Sequence, residues 1–280
     1  RDNILFLKGF KALIDSSPLK ISGQVSIMKE MTGNMDLHAT ITDIDLEEWK
    51  EISGSEIPLS GTASADIRIT GTTEDPSISM MARSPEVHID GFAFNDMELE
   101  AINSTEKNGI ISYLLTLNAG EPPLEITGDI IRKQNGFKLT FDSRAKEVEC
   151  SSFIDKVDHN LAGKIEGSLN YKLNGEISEG TLTGNATISS NSLSLNGVAL
   201  RNINFPLSFN DGLLRSEKGR ASLYGGKALF SGSINPESGK WNSSVKINGT
   251  DMELLTSALM DNGSISGTGN LEMELAGIIG

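Results

Sequence analysis

Short stretches of this chain alternate apolar and polar residues one by one. The clearest is SGTASADIRITGT (60–72), and the same alternation returns in IEGSLNYKLNGEI (165–177) and SGTGNLEMELAGI (266–278). When the three stretches are aligned on their closing glycines, the apolar residues fall at matching positions. Strict two-residue alternation is typical of a β-strand with one apolar and one polar face. The pattern therefore predicts a strand at each of the three places.

The spacing of these strands indicates an internal repeat. The closing glycines are Gly71, Gly175 and Gly277, which lie 104 and 102 residues apart and give a period of about 103 residues. A second pair of segments recurs at about twice this period: GNMDLHATITDIDLEEW (33–49) resembles GKWNSSVKINGTDMELL (239–255). Because the segments recur in the same order, we predict a repeat protein.

The repeat also predicts how the chain is divided. Units of a repeat array contact mainly their neighbours, so we expect one continuous β-structure and not separate domains. The predicted divisions are a partial first repeat with a short N-terminal helix, a second repeat, a third repeat and the start of a further one, at residues 1–60, 61–164, 165–266 and 267–280.

Few segments have a helical pattern. Alternating apolar residues and turn signals rich in Gly, Asn, Asp and Pro run through most of the chain, as expected of antiparallel strands. Short helices are predicted at 4–14, 46–52, 150–157 and 252–260. The last three fall at one phase of the repeat, just before each glycine-flanked strand. The predicted fold class is therefore all-β with a few short helices, in an elongated, twisted antiparallel sheet.

Composition narrows the classes of function. The net charge is −14, from 24 Lys and Arg against 38 Asp and Glu, and it argues against nucleic acid as a partner because that partner needs a basic face. The lone Cys150 cannot form an intramolecular disulfide. No run approaches the ~20 apolar residues needed to cross a bilayer. Since the sequence ends inside a repeat, we expect a fragment whose parent carries an anchor elsewhere.

The sequence offers little chemistry. His38, His88 and His159 lie far apart, with no Cys or His partner at the spacing of metal ligands. The segment GTGNLE (267–272) lacks the third glycine of a phosphate-binding loop and opens a strand, not a helix. No candidate nucleophile has a base beside it. We therefore expect no enzymatic activity, no catalytic residues, no metal site and no cofactor.

Two longer segments resemble a known family. They are PLSGTASADIRITGTTEDPSISMMARSPEVHIDGFAFNDMELEA (58–101) and GVALRNINFPLSFNDGLLRSEKGRASLYGGKALFSGSINPESGKWNSSVKINGTDMELL (197–255). Their succession of glycine-flanked strands, the YGG turn and the alternating strand before D-x-x-L resemble the AsmA-like (AsmA/TamB-like) superfamily of bacterial envelope proteins. The resemblance extends from about residue 19 to the end, and its motifs are patterns of glycine and alternation.

The resemblance implies both a shape and a function. It implies a long antiparallel sheet curled into an apolar groove (β-taco-like), located in the periplasm and bridging the inner and outer membranes of a diderm bacterium. Phospholipid would be the ligand, with acyl chains moving along the groove without a covalent step. An inner-membrane anchor and an outer-membrane β-barrel would be the protein partners. The alternative is a structural or interaction module that supports outer-membrane protein assembly by β-strand addition.

Alternation within the repeats selects the side chains expected to line such a groove. An aliphatic strip suits acyl chains, because burial of apolar surface contributes about 25 cal/mol per Å² and needs no polar contact. The alternative is that the same residues fill a dry core. The candidate lining residues are Ile41, Ile67, Ile69, Leu139, Phe141, Tyr171, Leu173, Ile247, Met273 and Leu275.

Overall fold

A computed structural model describes most of the 280 residues. The described ranges are 3–14, 16–27, 33–48, 59–89, 92–103, 110–118, 122–133, 136–151, 164–178, 181–210, 212–236, 238–259 and 265–278.

Within these ranges the chain forms sixteen strands in an antiparallel sheet, and their order in the sheet follows their order in the chain. This confirms the predicted all-β antiparallel fold with few and short helices. The strands are β1 (Asn3–Ile14), β2 (Ser17–Ile27), β3 (Asn34–Asp45), β4 (Leu59–Thr72), β5 (Pro76–Ile89), β6 (Phe92–Asn103), β7 (Ile110–Asn118), β8 (Leu124–Lys133), β9 (Gly136–Glu149), β10 (Ile165–Ser178), β11 (Thr181–Leu195), β12 (Val198–Asn210), β13 (Leu213–Leu223), β14 (Gly226–Ile234), β15 (Lys240–Asp251) and β16 (Thr268–Ile278).

The predicted helix at 4–14 is wrong, because these residues form β1 and pair with β2. Gly9 has a φ of 72°, and the register shifts between Leu7 and Phe10. Such a bulge changes the phase of alternation within the strand. The apolar residues before and after it therefore do not follow a single two-residue pattern, and the segment resembles a helix in the sequence.

The other helical predictions fall partly on described residues. Helical backbone starts directly after β3 at 46–48 and directly after β9 at 150–151, and the rest of both predicted segments lies outside the described residues. The segment predicted at 252–260 forms helix α1 (Met252–Leu259). Asp251 precedes this helix, and its carboxylate accepts hydrogen bonds from the backbone N–H groups of Glu253 and Leu254, as an N-cap residue does.

The chain divides into two compact units. The first comprises Arg1–Ala119 and Pro123–Leu139, and the second comprises Gly120–Pro122 and Thr140–Gly280. Strands β1 to β8 lie in the first unit, and β10 to β16 with helix α1 lie in the second.

Each unit has a small buried cluster where a strand ends and helical backbone begins. In the first unit, Ile41, Ile44, Ala63 and Ala65 form this cluster, with Leu46 packed against it. In the second unit it consists of Ala221, Leu223, Ala228, Ile247 and Leu255, with Met252 packed against it. Each of these buried clusters is therefore small and lies beside helical backbone.

A residue with positive φ recurs just before each helical segment, and at Asp43 and Gly249 it coincides with a register shift, or bulge. Asp43, Glu147 and Gly249 have φ values of 54°, 57° and 67°, and they lie 104 and 102 residues apart. The residue after each of them is buried: Ile44, Val148 and Thr250. Since an extra residue returns the next side chain to the inner face, the bulge lets the strand end on a buried position before the helix starts.

A buried serine recurs in β5 and β11. The Ser84 hydroxyl lies 2.7 Å from the carbonyl oxygens of Thr62 and Glu86. The Ser190 hydroxyl lies 2.6 Å from the Ser168 carbonyl oxygen and 3.0 Å from that of Ser192. In both strands the single hydroxyl hydrogen is therefore shared between carbonyl oxygens at the same two offsets, 22 residues before and 2 residues after the serine.

Candidate functional site

The strand register of the first unit aligns apolar side chains into rows that cross the strands. Residues directly opposite one another in an antiparallel pair project from the same face. One row consists of Phe10, Ile21, Ala39, Ile67, Met80, Ala101 and Tyr113. The next row consists of Ala12, Leu19, Ile41, Ala65, Ala82, Leu99, Leu115 and Ile126. One face of this unit is therefore apolar across its strands.

The opposite face of the first unit carries charges that pair across strands. His38 lies 2.7 Å from the Asp66 carboxylate, and Arg68 lies 3.4 Å from that of Asp36. All four side chains are at least half exposed. Exposed pairs of this kind contribute little to stability, so this face is a solvated surface.

The second unit has equivalent rows. One row holds Tyr171, Ile188 and Phe205, and continues on later strands with Phe230, Val245 and Met273. A second row holds Leu214, Ile234 and Trp241 on β13, β14 and β15. The two rows flank a depression in the sheet.

This depression is a cavity of about 630 Å³ within the second unit. Its volume lies within the usual range for ligand pockets. The apolar side chains that line it come from β12 to β15: Phe205, Leu207, Leu214, Phe230, Ile234, Trp241 and Val245.

The floor of the cavity consists of small residues, Ser216, Gly232 and Ser243, which lie opposite one another on β13, β14 and β15. Ser216 is buried, and its hydroxyl donates a hydrogen bond of 2.7 Å to the carbonyl oxygen of Pro206. Among the described residues, every buried side-chain nitrogen or oxygen has a hydrogen-bond partner. The cavity therefore offers apolar walls and a floor whose buried polar atoms are already bonded.

Glycines allow the aromatic walls to lie close to the sheet. A Cβ on Gly219 would lie 2.7 Å from ring carbons of Phe205, and one on Gly277 would lie 2.9 Å from Nε1 of Trp241. Phe205 also contacts Phe230, with ring centroids 6.1 Å apart. Side chains at these two positions would displace the aromatic rings, so the glycines determine the positions of Phe205 and Trp241 in the cavity wall.

The ten predicted lining residues differ in burial. Ile41 and Ile247 belong to the buried clusters beside the helical segments. Six lie half-buried on their strands: Ile67, Ile69, Leu139, Phe141, Tyr171 and Leu173. Met273 and Leu275 are exposed on β16, opposite the cavity residues Val245 and Ser243. The prediction that all ten line a groove stays a prediction.

The residues that line the cavity were not selected from the sequence. The alternation in β12 indicates an apolar face at Phe205 and Leu207, but it does not distinguish them from other strands. The signal that could have located the cavity is FSGSI (230–234), in which two large apolar residues flank a glycine. Its meaning depends on Ser216 and Ser243, which come from neighbouring strands.

Two groups whose pKa values are raised by burial lie outside the cavity. Burial raises the pKa of the Cys150 thiol, and the charge of Glu149 raises it further. Burial likewise raises the pKa of the Tyr113 hydroxyl, with a further contribution from Asp129. A raised pKa keeps each group protonated, which is the opposite of what an activated nucleophile requires.

The described residues contain no group of three His, Cys, Asp or Glu side chains that could hold a metal ion. In the same ranges, no helix has the length and apolar character needed to cross a membrane.

Comparison with family models, curated proteins and solved structures found no match. The resemblance to the AsmA/TamB-like superfamily therefore stays a prediction from the sequence.

Proposed function

We propose that this chain is a segment of an inter-membrane lipid-transport bridge in the envelope of a diderm bacterium. In this proposal, acyl chains of phospholipids lie against the apolar face of each unit. The observation that carries the proposal is the 630 Å³ cavity in the second unit, whose walls are apolar and whose buried polar atoms are already hydrogen-bonded.

Hydrocarbon is the ligand that such a surface fits best. An acyl chain gains about 25 cal/mol for each Å² of its surface that is buried, and it needs no hydrogen-bond partner. A polar ligand would lose its bonds to water without replacing them. Because successive strands present similar aliphatic side chains, a bound chain would meet similar contacts from strand to strand, which favours movement by diffusion.

The cellular setting of the proposal comes from the family resemblance. A periplasmic location, an inner-membrane anchor and an outer-membrane β-barrel partner belong to it as expectations. No cofactor and no covalent step are needed. Energy for directional movement would come from the partners or from membrane gradients.

Photo-crosslinking tests the proposal at two adjacent residues. Leu173 is half-buried in the apolar row with Ala186 and Leu207, whereas Lys172 is exposed and has the opposite orientation. A photo-reactive amino acid is placed at each position, cells of a diderm bacterium are irradiated, and attached phospholipid is measured by mass spectrometry. We expect phospholipid at 173 and none at 172. A folded, envelope-located protein that captures lipid at neither position would refute the proposal.

A second candidate function is binding of another protein by strand addition. Strand β16 pairs with β15, and β1 pairs with β2; among the described residues neither has a partner strand on its other side. An outer strand presents backbone groups to which a further strand can bond. In this case proline in β16, for example at Glu274, would abolish partner binding in a pull-down, while Leu173→Asp would leave it unchanged. The opposite pattern would exclude strand addition.

A further inference from the structure

A glycine recurs at intervals of about one repeat on the apolar faces of β2, β8 and β14. The three motifs are ISGQV (21–25), ITGDI (126–130) and FSGSI (230–234), with glycines at 23, 128 and 232. In each motif, large apolar residues lie two positions before and two positions after the glycine. Since the glycine has no side chain, whatever stands beside it on the neighbouring strands decides whether a depression remains.

The neighbours of this glycine differ between the copies. Gly23 lies opposite Leu7 on β1 and Leu37 on β3. Gly128 lies opposite Tyr113 on β7. In the first unit, the positions directly opposite the glycine are therefore occupied by large side chains.

Gly232, by contrast, lies opposite two serines, Ser216 and Ser243. The cavity of about 630 Å³ lies at this third copy.

The shape of the depression suits one chain lying across the strands. Neighbouring strands are about 4.8 Å apart, so the floor extends over about 10 Å between β13 and β15. Phe230 and Ile234, which flank Gly232, are four residues apart along β14, or about 13 Å between their backbones. The side chains of Phe230 and Ile234, together with those of Trp241 and Val245, project into this 13 Å spacing and reduce the open width. Along the strand direction, the depression is therefore as wide as a single row of side chains.

The chemistry of the floor favours hydrocarbon over a peptide. Backbone groups of β13, β14 and β15 bond to one another along the sheet, and the Ser216 hydroxyl bonds to Pro206, which leaves the half-buried Ser243 hydroxyl as the polar group that the floor offers to a ligand. A peptide placed there would bury most of its own N–H and C=O groups without partners, which is costly. An alkyl chain carries no such groups.

We propose that Ser216, Gly232 and Ser243 form the floor of a binding site for a single unbranched acyl chain of a phospholipid, and that their small size determines this specificity. The inference rests on the proposed function and goes beyond it in locating the site and limiting its ligand. The acyl chain lies across β13 to β15 between the two apolar rows. Broad, rigid ligands such as sterols do not fit.

Trp241 in the cavity wall provides a direct readout. The chain has two tryptophans, so Trp49→Phe leaves Trp241 as the only one. Bromine quenches indole fluorescence at short range. The probe is a lysophospholipid with a dibromostearoyl chain, used below its micelle concentration. In the Trp49→Phe protein we expect saturable quenching, displaced by the unbrominated lysophospholipid and not by cholesterol.

The floor itself is tested by filling it. Ser243→Leu introduces at the third copy the residue that stands beside Gly23 in the first copy, and we expect it to weaken binding at least about tenfold. The matched control, Ser208→Leu, adds the same side chain at an exposed position opposite Arg215 and should leave binding unchanged. If Ser243→Leu fails to fold, Ser243→Val is the milder variant with the same expected direction.

Several results would overturn the inference. They are unchanged binding by a folded Ser243→Leu or Ser243→Val protein, displacement of the probe by cholesterol, and binding of free dibromostearate but not of the lysophospholipid. If Trp241 is not quenched but a photo-reactive group at Leu173 captures phospholipid, the floor site is wrong while the proposed function stands. If both measurements fail, both proposals are wrong.

Discussion

The buried cluster beside helix α1 allows a quantitative test of which side chains contribute most to the free energy of unfolding of the second unit. Ile247 is 6% exposed and packs with Ala221, Ala228 and Leu255. Leu275, on β16, is 50% exposed. Ile247→Ala and Leu275→Ala remove the same number of carbon atoms, so the two variants differ mainly in burial.

The expected costs follow from that burial. Removing a large aliphatic side chain from a packed cluster costs about 2–5 kcal/mol, and we take about 3 kcal/mol for Ile247→Ala. A fully buried leucine gains about 1.5–3 kcal/mol relative to an exposed one, so the half-exposed Leu275 should lose about 1 kcal/mol. The difference between the two variants should be about 2 kcal/mol.

Urea unfolding followed by Trp241 fluorescence measures this difference in the second unit. Both variants are made in the Trp49→Phe background. With a slope of about 2 kcal/mol per M urea, Ile247→Ala should lower the unfolding midpoint by about 1.5 M and Leu275→Ala by about 0.5 M. Trp241 lies within the second unit, so the signal reports on the unit that carries both changes.

Equal midpoint shifts for the two variants would contradict the expected difference in burial. That result would mean that the side chains are buried to a similar extent in solution, and that the apolar row at β16 is covered. A larger shift for Leu275→Ala would mean that the row containing Leu275 is more tightly packed than the cluster beside helix α1.

Three further predictions concern buried polar groups. Ser84→Ala and Ser190→Ala should each cost about 1 kcal/mol, because each removes a part-buried hydrogen bond between a buried serine and a carbonyl group. Negligible costs for both variants in urea unfolding would contradict this. Cys150 is buried and its pKa is raised, so we expect its thiol to react with iodoacetamide roughly a hundredfold more slowly in the native chain than in urea. Mass spectrometry measures the two alkylation rates, and equal rates would show that the thiol is accessible in the native chain. The raised pKa of Tyr113 means that the folded state favours the protonated hydroxyl. The stability that this preference contributes is fully present below the ordinary pKa of 10.0, and it is lost as the pH rises through the raised pKa. Stability of Tyr113→Phe should therefore fall less steeply above pH 10 than that of the parent chain, and identical slopes would exclude this contribution.

The fold class was predictable because alternation is a local property. In a stretch such as 60–72, the two-residue period is visible without knowledge of any neighbour, and it requires a strand with two unlike faces. The same argument failed at 4–14, where the bulge at Gly9 changes the phase of alternation and pairing with β2 decides the conformation.

The alternating pattern and the glycines are enough to identify the apolar face, the turns and the spacing of the predicted repeat. The sequence did not separate Ile247, buried beside a helix, from Leu275, half exposed on β16, because both occupy apolar positions of an alternating strand. Nor could it locate the cavity. Ser216, Gly232 and Ser243 are separated along the chain and have little meaning singly, and only the strand register places them side by side. Burial and concavity depend on which strands pair and in what register, and tertiary structure alone decides this.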